Sequence, residues 1–111
     1  MNDIANCNVE NKVDGNNNPT GGFVRGCGLV IEWQNGPLGR DTERKEPNGA
    51  FVETIISAAI QRLMFYQTAN RGKFYCAENA DAIHFLMQAS HVLQTRTARR
   101  EAAGTEGTHK W

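Results

Sequence analysis

Apolar and polar positions change rhythm four times along this chain. Residues 1–20 are polar, with only Ile4, Val9 and Val13 as scattered apolar sites and an Asn16-Asn17-Asn18 run set between Gly15 and Pro19. Such a stretch buries little and breaks regular structure often, so it reads as a flexible arm or an irregular strand. From Phe23 to Gln34 the rhythm is two: Leu29, Ile31 and Trp33 fall on one side of a pleat, Val30, Glu32 and Gln34 on the other. That alternation predicts a half-buried strand. Asn35-Gly36 follows as a tight-turn signal, because both residue types tolerate positive φ, and Pro37 restricts what comes next to an edge or a loop. Residues 39–47, GRDTERKEP, read as a charged, solvated connector.

Beyond Pro47 the period lengthens to that of a helix. Val52, Ile55, Ile56, Ala59, Leu63 and Tyr66 recur in three- and four-residue steps between Gly49 and Gln67, with Ile60 and Met64 widening the stripe. Asn48 is positioned as an N-cap, and Asn70, Arg71 and Gly72 mark the end. A second helix is predicted from Ala77 to Ala103, with Ala80, Ile83, Leu86, Met87, Ser90, Leu93 and Thr97 along its inner stripe and Gly104 as the stop. It would be about 40 Å long at ~1.5 Å per residue. A long helix beside a shorter one leaves apolar surface uncovered, which argues for self-association. The expected organisation is one α+β domain: a flexible or irregular arm over 1–21, an antiparallel β-part and connector over 22–47, a two-helix hairpin over 48–104 and a tail over 105–111, assembled as an oligomer.

Composition narrows the functional classes. The 111 residues carry 12 Lys+Arg against 12 Asp+Glu, so no whole-molecule charge favours nucleic acid or an anionic membrane. No run of ~18 apolar residues exists to span a bilayer, and MNDIANCNVEN lacks the basic start and apolar stretch of a secretory signal, so the expected location is the cytoplasm. Cys7, Cys27 and Cys76 are odd in number and widely spaced, unlike a secreted disulfide framework, and are expected as reduced thiols. No glycine-rich phosphate loop and no Ser/His/Asp order is legible.

Candidate chemistry is concentrated in the hairpin. Arg96 and Arg100 lie four apart on one helical face, where they serve either as a basic last turn complementing the helix dipole or as an anion clamp of two guanidinium forks. Glu101 lies within reach of one of them. Phe65 and Tyr66 close the first helix, and Phe74 and Tyr75 precede the second; four aromatics around one loop are either core or a stacking surface for a base. Asn79 is either a first-turn capping residue or a carboxamide for a base edge. His84 and His91, seven apart, lack further ligands at zinc-site spacing, so no metal and no cofactor is expected. The last eight residues, Gly104 to Trp111, read as a frayed tail or as a segment that wraps a ligand or neighbouring subunit.

These stretches resemble a known family. IEWQNGP, PNGAFVETII, RLMFYQ, KFYCAENADAI and LQTRTARREAAGTEGTH, covering about residues 22–109, are similar to the Thoeris anti-defence sponges of the first type, phage proteins that share a helical hairpin with the second type of anti-CBASS sponge. The closing RTxxRExxGxEGTH pattern is the most specific part. The resemblance implies a dimer or hexamer that holds glycocyclic ADP-ribose signals, made from NAD by bacterial TIR-domain proteins, without cleaving them. It places the ligand-contacting asparagine on Asn79, the clamp arginines on Arg96 and Arg100, and the stacking aromatic on Phe65 or Tyr66. Some members also bind cyclic di- or trinucleotides at a separate site. The family's Cys-Arg-Glu-Asn string is Cys76-Ala77-Glu78-Asn79 here, so the arginine associated with that second site is absent. The expectation is therefore a non-enzymatic sponge in the cytoplasm of an infected host cell, without nucleic acid or membrane partners. The alternatives are a cyclic-oligonucleotide sponge, a small enzyme using His84, His91 or Glu78 as acid or base, and a ligand-free structural oligomer.

Overall fold

The computed structural model describes residues 7–109. The chain divides into two compact units: residues up to Phe51 together with those from Ala103 onward, and Val52–Ala102 between them. The class is α+β, an antiparallel sheet followed by two helices.

The first unit is a three-stranded meander of β1 (Asn8–Val13), β2 (Pro19–Gly26) and β3 (Leu29–Glu32), in the spatial order β1-β2-β3. Val24 and Ile31 pair across β2 and β3, and they are the buried hydrophobic side chains of the described residues. Of the two readings of the arm, a strand is what forms over 8–13; Ile4 lies outside the described residues. The asparagines that suggested flexibility build its turn. The Asp14 carboxylate accepts the backbone N–H groups of Asn16 (2.8 Å) and Asn18 (3.0 Å), while Asn17 sits at φ 63°. This Asx-type turn needs short polar side chains, one of which tolerates the left-handed region. Every β1 side chain is exposed, so its register rests on this turn and on backbone pairing more than on burial. Gly22 adds to that pairing, since at φ 129° a Cβ there would fall 2.0 Å from the Glu10 carbonyl oxygen.

The single strand expected over 23–34 is instead two strands. The chain reverses at Gly26-Cys27-Gly28, all at positive φ, and Leu29 beside the turn is exposed where the alternation placed it inside. Asn35-Gly36 does not close a hairpin; the chain bends there and later returns. Asn48 stands too far ahead of the helix at Val52 to cap it. Its carboxamide accepts the Asn35 N–H (2.8 Å) and donates to the Asn35 carbonyl (3.0 Å), and its own N–H donates to Gln34 Oε1 (2.8 Å). Ala50 then forms an isolated parallel bridge with Trp33.

The connector and tail also differ from expectation, because each covers the other. Arg44 donates both to the Glu106 carboxylate (2.8 and 2.9 Å) and to the Gly39 carbonyl, and Arg40 donates to the Glu106 carbonyl (2.9 Å). Gly39 N–H donates to the Gly107 carbonyl (2.8 Å). A Cβ on Gly107 would lie 2.3 Å from the Gly39 oxygen, so the glycine of the EGTH string is required by backbone contact. The tail's last two residues, Lys110 and Trp111, lie outside the described residues.

The second unit is the hairpin of α1 (Val52–Gly72) and α2 (Ala77–Ala102). Regular α1 geometry stops before Ala69, which is extended, and Asn70 and Arg71 are left-handed. The Gln67 side chain bridges the two helices, donating to the Cys76 carbonyl (3.0 Å) and accepting the Cys76 N–H (3.1 Å). Ile55, Ile56, Ile60 and Leu63 of α1 and Ala80, Ile83, Leu86, Ser90, Leu93 and Thr97 of α2 are half-buried. The seam runs through Ile60, leaving Ala59, Tyr66 and Met87 exposed, contrary to the predicted stripes. Neither helix holds a fully buried residue. No helix among the described residues is long and apolar enough to cross a membrane.

Two outcomes follow from the sheet. Gly22→Ala should detach β1 and destabilise the unit by roughly 2 kcal/mol or more, read as a lowered melting temperature and lost amide protection over residues 8–13. The Asn18 and Asn16 N–H groups hold the Asp14 carboxyl below its ordinary range. An acid with a lowered folded pKa stabilises above its unfolded value and loses that effect as pH falls through the folded one. Amide protection at Asn16 and Asn18 should therefore be flat near neutrality and fall in acid, whereas Asp14→Asn should flatten that acid limb.

Candidate functional site

The hairpin loop gathers three of the five candidate residues. Phe65, Tyr66 and Asn79, with Ala69 and Phe74, line an open recess of about 330 Å³. Its walls follow from local sequence. Phe65 and Tyr66 lie in the last regular turns of α1, where they sit 6.1 Å apart, centroid to centroid, at an interplanar angle of 54°. The extended Ala69 and the left-handed Asn70 and Arg71 then turn the chain, and Phe74 enters before α2 begins. Asn79, in the first turn of α2, is half-buried beside these rings. A mostly apolar recess with one carboxamide suits a flat heteroaromatic group: rings to stack it and an amide for its polar edge.

Arg62 belongs with this cluster and was missed in the sequence. Its guanidinium carbon stands 5.0 Å from the Phe65 ring centre and 4.9 Å from that of Tyr66, and its Nε donates to the Tyr66 hydroxyl at 3.2 Å. The signal was there as an Arg-x-x-Phe-Tyr spacing, which places the cation one helical turn before both rings. Tyr75, the fourth aromatic of the loop, is exposed and lies outside the recess lining.

Arg96 and Arg100 are elsewhere. They sit in the last turns of α2, both half-buried with Arg99 turned out, and their Nε atoms are buried. Asn79 and Arg96 are seventeen residue steps apart on one continuous helix, about 26 Å at ~1.5 Å per residue. One hairpin therefore presents the stacking recess at its closed end and the arginine pair at its open end, and the five residues do not form one pocket within a single chain. Arg96 also has a local partner, since its guanidinium lies 3.4 Å from both carboxylate oxygens of Glu53 in the first turn of α1. Both side chains are about one-third exposed, which keeps that pair weak.

The histidines are on another face. His84 and His91 are exposed, with Met87 and Gln88 between them along α2 and Val92 just beyond. Among the described residues no group of three metal-ligating side chains gathers.

No protein-family model matches the chain. It is 43% identical over 81 residues to Thoeris anti-defense 1 of Bacillus phage SBSphiJ7. The chain is a relative of that Thoeris anti-defence protein. The match takes in 73% of this chain and 52% of the relative, so the chain spans about half the length of the Thoeris anti-defence protein it matches. The resemblance to Thoeris anti-defence proteins is thus supported by direct comparison. The fold divides that ending between two tasks: Arg96 and Arg100 belong to the hairpin, while Glu106 and Gly107 tie the tail to the connector.

Replacing Glu53 with Gln tests the electrostatics of the open end. The variant should lose less than about 1 kcal/mol of stability by thermal unfolding. With the competing carboxylate gone, its affinity for inorganic pyrophosphate, measured by titration calorimetry, should rise several-fold.

Proposed function

We propose that this protein acts for a phage against Thoeris defence by sequestering a cyclic ADP-ribose-type signal without cleaving it. The observation that carries the reading is the pairing of a stacking recess with an arginine pair in a relative of a Thoeris anti-defence protein. A cyclic ADP-ribose presents an adenine, two riboses and a pyrophosphate. Phe65, Tyr66 and Asn79 match the base and its polar edge, and Arg96 and Arg100 match the pyrophosphate through charge-assisted hydrogen bonds. No cofactor takes part in holding the ligand. The place of action is the cytoplasm of the infected host cell, where a TIR-domain enzyme would release its product.

The distance between the two half-sites gives the proposal a quaternary form. A ligand much smaller than 26 Å meets both only when the closed end of one hairpin lies against the open end of a second. The exposed Phe65, Phe74, Phe85, Met87 and Val92 give such a pairing apolar surface to cover. Holding the ligand between rigid helices of two chains favours affinity, because little ordering remains to be done on binding.

The test is to incubate the protein with the nucleotide product of a TIR enzyme, remove free ligand by filtration, denature by heat and analyse what is released. Intact cyclic ADP-ribose is the expected product. Recovery of linear ADP-ribose alone would instead mean catalysis, and no depletion would remove the signal from the reading. Arg96→Ala with Arg100→Ala should weaken binding by about a hundredfold or more while the oligomer stays folded. Mixing that double variant with Phe65→Ala/Asn79→Ala should restore about a quarter of the sites, as expected when each site draws on two chains. Without restoration, the two-chain form fails.

A further inference from the structure

Cys7 and Cys27 are twenty residues apart in sequence, yet their sulfurs lie 3.4 Å apart. The sheet brings them there. Asn8 pairs with Arg25, which sets Cys7 alongside Gly26, one residue from Cys27. The geometry points to an oxidisable dithiol at this position, whose intramolecular disulfide would clip the edge strand β1 to the β2–β3 turn. This lies in the first unit, apart from the ligand-binding residues of the hairpin, and does not depend on the function proposed for them.

Three features favour closure. The register sets Cys7 diagonally across from Cys27 at the end of the β1–β2 pair, where the two sulfurs are already in van der Waals contact. The sulfurs need to approach by only about 1.4 Å to reach bonding distance near 2.05 Å. Cys27 stands between Gly26 and Gly28 in a turn where all three residues have positive φ, and glycines on either side let the backbone adjust with little cost. The strand that would be clipped is the one with least burial, every residue of it exposed.

Chemical access is asymmetric. Cys27 is exposed and Cys7 half-buried. Cys7 is held above the ordinary thiol range, first by its hydrogen bond with Cys27, then by desolvation and by the charge a Cys27 thiolate would place beside it. Cys27 is therefore the first nucleophile toward a low-molecular-weight disulfide. Its thiolate attacks one sulfur of glutathione disulfide and expels one glutathione thiolate, leaving a mixed disulfide. Cys7 then loses its proton and attacks the Cys27 sulfur, expelling the second glutathione. Two electrons and two protons pass from the cysteine pair to the oxidant, which leaves as two glutathione molecules.

The experiment exposes the full-length wild-type protein to glutathione disulfide, alkylates remaining thiols and digests with trypsin without reduction. Lys12 and Arg25 both lie between the two cysteines, so cleavage at either leaves their peptides joined only by the new bond. The expected result is a monomer lighter by two hydrogens, a Cys7 peptide linked to the Cys27 peptide until reduced, and Cys76 still open to alkylation. Amide exchange over β1 should slow by about tenfold or more in the oxidised protein. Cys27→Ser should abolish both the link and the slowing. Alkylation of all three cysteines after oxidation, a mixed disulfide that stays on Cys27, a bridge to Cys76 or to a second chain, or unchanged β1 exchange would each overturn the proposal.

Discussion

Scarcity of interior is the constraint on which the rest of this structure depends. Among the described residues Val24 and Ile31 supply the buried hydrophobic side chains, and neither helix has a fully buried position. Hydrophobic burial is usually the dominant favourable term in folding. Here much of the specification falls to polar clasps, most of which join a side chain to backbone: Asp14 across its turn, Asn48 on Asn35, Gln67 on Cys76, Arg40 on the Glu106 carbonyl, and Arg44 on the Gly39 carbonyl and the Glu106 carboxylate. Each such bond is worth only about 1 kcal/mol net. They define where the chain goes more strongly than they stabilise it, which is why steric fits such as Gly22 on Glu10 and Gly107 on Gly39 matter.

The same scarcity shapes the candidate site. A recess at the end of a two-helix hairpin has walls but no roof, and the arginine pair stands beside a competing carboxylate. A tight small-molecule site covers most of its ligand's surface. In the proposed assembly the two half-sites become one enclosed site by meeting on neighbouring chains, and the exposed aromatics of the recess are apolar surface that such a meeting would cover. The affinity of a sponge and the completion of its apolar surface are then one event in the proposed assembly.

The helices were legible because the information that specifies them is local. Three- and four-residue spacing placed α2 within a residue of its observed ends, and the Asn70-Arg71-Gly72 signal marked the turn correctly. The sheet was less legible. The asparagines around residue 17 have a composition typical of flexible segments, yet Asp14 converts them into a defined turn, and Gly26-Cys27-Gly28 splits what alternation joined into one strand. The tail was not legible at all, because Glu106 finds Arg44 across 62 residues of chain, and no window of sequence contains both. Residue types at the candidate site were visible for the same local reason, as was Asn79 beside the aromatic loop. The separation of Asn79 from Arg96 was implicit in helix length, but its meaning depends on α2 being continuous from Ala77 to Ala102. Arg62 went unnoticed because a cation one turn before an aromatic pair is common on helices and gains significance only where a recess forms.

The docked tail carries a topological consequence. The chain leaves its first unit after Phe51, builds the whole hairpin and re-enters that unit at Ala103. The hairpin is therefore an insertion within a discontinuous unit, with both of its ends anchored to the same body. The final stretch of sequence is part of the structure that begins at the opposite terminus, joined to it through Glu106 and Gly107. Cutting the chain after α2 would leave the helices covalently whole and remove a piece of the unit that contains the sheet.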